Sequence, residues 1–141
     1  MNLKNPVSDI MTKELITVTP EDNLLTVKQL FDMHSIHHIP VVHFKDLVGL
    51  ISKSDLQLYA NSDMDPISID IKEDQKLKFT KVKQIMVVRL GKLEPQDRIE
   101  LAIEVFLTNY FHCLPIVDGK ELMGLLTPYD ILRYVATASK S

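Results

Sequence analysis

A single cysteine, Cys113, stands among the 141 residues, so the chain cannot form an internal disulfide. That suits a reducing compartment, and the expected location is cytoplasmic. No apolar run approaches the ~18 residues that a membrane-spanning helix needs. The N-terminal stretch MNLKNPVSDIM lacks the hydrophobic core of a secretory signal. There is no basic excess either: a net charge of −3 leaves no electrostatic footprint for nucleic acid. Also missing are a glycine-rich phosphate loop and a Ser-x-x-Lys signature, which removes two common enzyme classes. What is present is ordinary for a globular domain, with 45% hydrophobic and 25% charged residues. A chain of this length buries roughly two-thirds of its unfolded surface, enough for a core.

The sequence repeats itself. HHIPVVHFKDLVGLISKSD (His37 to Asp55) and HCLPIVDGKELMGLLTPYD (His112 to Asp130) share a His, a Pro, a Gly, a hydroxyl residue and an Asp, each displaced by 75 positions without a gap. The same displacement matches Ile10-Met11 with Ile85-Met86, Pro20 with Pro95 and Phe31 with Phe106. The repeats run from about Ser8 to Ala60 and from about Lys83 to Val135.

Each repeat is read as a small α+β unit. Pro20-Glu21-Asp22 and Pro95-Gln96-Asp97 are expected to open helices, with acids in the first turn. Leu24, Val27 and Phe31, matched by Ile99, Ala102 and Phe106, fall on one helical face. Strands are expected at Ile39–His43 and Leu47–Ile51, then at Leu114–Val117 and Leu122–Leu126. Asp118-Gly119 is a hairpin turn signal, whereas Phe44-Lys45-Asp46 lacks glycine and calls for a different turn. Closing helices are expected at Lys53–Ala60 and Pro128–Ala136. A sheet with one apolar face must be buried, and the other copy is the obvious partner. Residues 1–62 and 83–137 thus form the two repeats, 63–82 a linker and 138–141 a tail. In the linker, Asp65-Pro66 marks a break, Ile67, Ile69 and Ile71 alternate like a strand, and Lys72–Lys83 reads as exposed helix or loop.

The end of each repeat carries the chemistry. Ser52-Lys-Ser-Asp55 and Thr127-Pro-Tyr-Asp130 sit at strand-to-helix junctions. There a carboxylate can accept both vicinal hydroxyls of a ribose, and the helix N-terminus favours a phosphate. The same pattern is also a helix cap, with Asp in place of the usual Glu and Pro128 at the first helical position. Capping and binding do not exclude each other.

On these residues the chain resembles a tandem pair of CBS domains, a Bateman module. The marks are the Ile-Met start with its downstream Pro, the His-x-h-Pro-h-Val strand and the closing Gly-h-h-Ser/Thr-x-x-Asp. The resemblance implies two repeats packed with pseudo-twofold symmetry through short β-sheets flanked by helices, and dimerisation into a disk. The ligands it implies are adenosine derivatives (AMP, ADP, ATP or S-adenosylmethionine) held in two clefts between the repeats. One cleft would use His37, His38, Ser52, Ser54 and Asp55, with the base near Leu90–Leu93 and Leu114. The other would use His112, Thr127 and Asp130, with the base near Ile16, Thr17, Val18 and Ile39. Two departures stand out: Gly91-Lys92 replaces Ile16-Thr17, and Cys113 replaces His38.

Two further features have other readings. His34 and His38, spaced as one helical turn, suggest a metal pair, but no third ligand is evident, so no metal is assigned. Cys113 beside His112 suggests a thiol nucleophile, but neighbours in a strand point to opposite faces. The expectation is a non-catalytic, adenine-nucleotide-sensing homodimer. Its rivals are a ligand-free interaction scaffold and, more remotely, a metal- or thiol-dependent enzyme.

Overall fold

A computed structural model describes residues 1–62 and 73–139. The expected break at Asp65-Pro66 and the alternation of Ile67, Ile69 and Ile71 lie outside these residues. In chain order the elements are α1 (Leu24–Met33), β1 (His38–His43), β2 (Asp46–Ser52), α2 (Lys53–Ala60) and α3 (Glu73–Lys78). They continue with α4 (Ile99–Asn109), β3 (Leu114–Asp118), β4 (Glu121–Leu126) and α5 (Pro128–Ala138). Helices and hairpin strands thus alternate as an α+β fold. Among the described residues no helix is long and apolar enough to cross a membrane.

Two local expectations need correction. The helices do not open at Pro20 and Pro95 but begin at Leu24 and Ile99. The acids after each proline close a turn instead: Asp22 accepts the Thr19 N–H at 2.8 Å and Asp97 accepts that of Glu94 at 2.7 Å. Asn23 then caps α1, accepting from Thr26 N–H. Phe44, for its part, does not need a different turn. It takes φ 57°, the left-handed backbone that Gly119 takes at φ 63° in the second hairpin. For a non-glycine residue that conformation costs about 1–2 kcal/mol, and the Phe44 ring remains exposed.

The described chain forms two compact units, and they are not the two repeats. The Asp55 unit contains the described residues of Ile16–Phe44 and Val48–Arg89; the Asp130 unit contains Met1–Leu15, Lys45–Leu47 and the residues from Leu90 onward. Each unit therefore takes its opening segment from the other repeat.

In the Asp55 unit, Leu24, Val27 and Phe31 of α1 pack with Ile39, Val41 and Ile51, as the helical spacing requires. Leu77 and Val82, both fully buried, complete this core. The described part of the Lys72–Lys83 stretch is mostly exposed, as its charges suggest, but it inserts Leu77 and Val82 into this core. Lys28 bonds Asp74 at 2.9 Å, Leu24 N–H donates to Thr80 O, and Val82 N–H donates to Asp22 O. Hydrogen bonds from Lys81 and Lys83 hold the Glu21 carboxyl down at about 2.

The Asp130 unit repeats the plan. Ile99, Ala102 and Phe106 of α4 pack with Leu114, Ile116 and Leu126, and Val7 takes the place that Val82 holds in the other unit. Val7 N–H donates to Asp97 O, and Thr12 exchanges both backbone bonds with Leu125. β3 and β4 pair antiparallel with Leu114 opposite Leu126, and Asp46 lies opposite Glu121 on the far side of β4.

In both units a methionine from the opening segment lies over a strand glycine. A Cβ on Gly49 would sit 2.6 Å from Met86 Sδ, and one on Gly124 would sit 2.6 Å from Met11 Sδ and 2.9 Å from the Thr12 carbonyl oxygen. The thioether end can swing away, but the backbone carbonyl is held by its bond to Leu125. Gly124→Ala is therefore expected to destabilise by about 1–3 kcal/mol, and by more than Gly49→Ala. Urea unfolding of the two variants checks the order.

Candidate functional site

Ser52 ends β2 with extended backbone and caps α2, its Oγ accepting from Asp55 N–H at 3.0 Å. Lys53 N–H donates to His37 O at 2.9 Å, which brings the His37–His38 corner to the same junction. Alongside runs the 16–18 segment: Val18 N–H donates to Pro40 O, and Val42 N–H to Val18 O. The structure thus gathers Ile16, Thr17, Val18, His37, His38, Ile39, Ser52, Ser54 and Asp55 within one unit. Leu90–Leu93 and Leu114, assigned with Asp55 from the sequence, belong to the other unit. Val18 and Ile39 are buried core residues, so their side chains do not face solvent; His37, Ser54 and Thr17 do. Ser52 and Ser54 hydroxyls lie 3.3 Å apart. The Asp55 carboxylate is half-buried and has no hydrogen-bond partner among the described residues.

The second junction looks the same in sequence but differs in its bonds. Thr127 caps α5, with Pro128 at its first turn, and Asp130 closes a full capping box by accepting Thr127 N–H at 3.0 Å. Asp130 is 3% exposed. Its other oxygen accepts from Thr12 Oγ1 at 3.1 Å and from Arg133 Nη2 at 2.8 Å. Pro128 has no N–H, so the bond that Lys53 makes to the histidine corner has no counterpart here. The Thr12 contact was not read from the sequence. Its signal is the 75-residue displacement, which sets Thr12 against Val87 and Arg133 against Leu58.

His112 is exposed in the bend before β3, not in a strand as expected. Cys113 is buried, and burial together with the nearby Asp130 charge pushes its thiol up to about 12. A thiol held protonated at neutral pH is a poor nucleophile. The histidine pair is also not as the sequence suggested. α1 stops at Met33, His34 is its extended C-cap and His38 begins β1, so the two are not one helical turn apart. Over Gly91, a Cβ would meet the Phe111 ring at 2.7 Å, so Phe111 stands where Ile16 has its side chain in the other repeat.

The CBS domain profile matches residues 7–61 and 82–137. The chain belongs to the CBS domain family. As a tandem pair it is 30% identical over 134 residues to a CBS domain-containing protein of Dictyostelium discoideum, covering 92% of this chain and 90% of that protein. An uncharacterized Methanocaldococcus jannaschii protein is 25% identical over 131 residues, 92% of this chain. This CBS pair spans only 47% of that relative's length. The crystal structure of the same relative matches with a TM-score of 0.83 at 24% identity, over 96% of this chain and 49% of that one. The crystal structure of CBSX2 in complex with AMP matches with a TM-score of 0.79 at 24% identity, over 96% of this chain and 98% of that one. These likenesses establish the fold of a CBS pair.

Proposed function

We propose that this CBS pair is a non-catalytic regulatory module that binds an adenosine ligand at the α2 junction. The observation that carries the reading is the Asp55 carboxylate, half-buried and without a partner among the described residues, beside the Ser52 and Ser54 hydroxyls. A ribose supplies two adjacent hydroxyl donors, which suits a carboxylate with no other bonds. A phosphate attached to that sugar would meet the N-terminus of α2, with Lys53 at its first position and His37 at the adjoining corner. The AMP complex of CBSX2, which shares the fold, supports this ligand class. The 16–18 segment lies along β1 and supplies the exposed Thr17 and half-buried Ile16 for the base.

The module is proposed to act as a homodimer in the cytoplasm. Exposed Leu107 on α4 and Leu132 on α5 supply apolar surface for a second copy, and the buried thiol suits a reducing setting. The test is a thermal-shift and calorimetric panel of adenosine, AMP, ADP, ATP and S-adenosylmethionine. Ligand at 100 times its dissociation constant is expected to stabilise the protein by about 2.7 kcal/mol. No shift with any member of the panel would leave the scaffold reading in its place.

A further inference from the structure

We infer that the two closing aspartates have opposite roles: Asp55 is the ribose-binding carboxylate, and Asp130 is an internal anchor that Thr12 and Arg133 keep closed to ligand. The inference rests on the proposed nucleoside binding and deepens it. Asp130 accepts from Thr127 N–H, Thr127 Oγ1, Thr12 Oγ1 and Arg133 Nη2 at distances of 2.8–3.3 Å. It is also 97% buried as a residue, the complement of its 3% exposure. A carboxylate offers about four lone-pair sites, and here they are all used. A ribose hydroxyl would have to displace an ion pair to arrive.

Around Asp55 the equivalent donors are gone. Displacement by 75 positions puts Val87 at the place of Thr12 and Leu58 at that of Arg133, and neither side chain can donate. Both are exposed, Val87 at 43% and Leu58 at 72%. The backbone pairing beside these positions is the same in both units: Leu50 and Val87 exchange the same pair of bonds as Leu125 and Thr12. Two side-chain substitutions therefore remove the donors from outside the cap, and the Thr127 N–H and Oγ1 bonds to Asp130 have no counterpart from Ser52 to the Asp55 carboxylate either. Asp130 also fastens the opening segment, since Thr12 joins Met1–Leu15 to α5.

Three full-length variants test this, with AMP as the titrant. Wild type is expected to bind one AMP per chain. Asp55→Asn is expected to weaken binding about ten- to a hundredfold while leaving the ligand-free Tm unchanged. Asp130→Asn is expected to lower the ligand-free Tm and leave AMP affinity unchanged. In Thr12→Val with Arg133→Leu, which places at these two positions the residues found around Asp55 and frees the Asp130 oxygen outside the cap, the stoichiometry is expected to rise from one to two. A tenfold loss of affinity in folded Asp130→Asn, or a wild type that binds two AMP, would overturn the assignment. So would a stoichiometry that stays at one in the double variant, which decides the matter should Asp130→Asn not fold. If wild type binds no adenosine compound, the nucleoside reading fails and the ribose role of Asp55 fails with it. The anchor role is then decided by the ligand-free Tm alone: a drop in Asp130→Asn and none in Asp55→Asn supports it, and equal values refute it.

Discussion

A fragment ending at Ser62, which contains the whole first sequence repeat, is expected to be unfolded. It lacks Leu77 and Val82, two fully buried members of the Asp55 core, and the bonds from Leu24 to Thr80, Val82 to Asp22 and Lys83 to Pro20. Burying a Leu and a Val is worth roughly 1.5–3 kcal/mol each, which rivals the ~5–15 kcal/mol that holds a whole domain together. The fragment also carries Met1–Leu15 away from the unit in which Val7 is buried, leaving Val7, Ile10 and Met11 with nothing to pack on. A longer fragment from Ile16 to Arg89 retains every core residue of the Asp55 unit. It is expected to show helical circular dichroism and cooperative urea unfolding where the 1–62 fragment shows neither. Cooperative unfolding of 1–62 would contradict the exchange of opening segments.

Leu77→Ala is expected to destabilise the full chain by about 2–5 kcal/mol, the range for emptying a closed core position. The size of the effect is the point, because Leu77 is the single apolar residue of Glu73–Lys78, a helix that otherwise reads as solvated. It is fully buried, whereas Phe79, two residues on, is 79% exposed. Phe79→Ala is therefore expected to stay within about 0.5 kcal/mol of wild type, as surface changes generally do. Urea titration should show a lower midpoint with an unchanged slope for Leu77→Ala. Equal stability of the two variants would place α3 outside the core.

The local architecture was legible because its signals are local. Ser52 and Thr127 announce helix N-termini through a hydroxyl three residues ahead of an Asp, and α2 and α5 begin on the next residue in each case. Buried faces of α1 and α4 follow from the spacing of Leu24, Val27 and Phe31 and of their counterparts. The prolines misled because Asp22 and Asp97 serve equally well as turn-closing acceptors and as first-turn acids. Only the bonds to Thr19 and Glu94 tell the two apart. Phe44 misled because a turn can impose a left-handed backbone on a residue that does not prefer it.

The sequence by itself determined the repeat, its period, the α+β elements and the two motifs that nominate Asp55 and Asp130. All of these depend on residues within a turn or two of one another, or on matching the chain against itself. What only the tertiary structure decided is which opening segment joins which unit, and what each carboxylate touches. Those are long-range facts: Thr12 reaches Asp130 across 118 positions, and Val82 enters a core whose other members lie 26 or more residues earlier, except Leu77. No periodicity encodes a contact of that span. Shape and bonding in the folded chain make two equal-looking aspartates unequal.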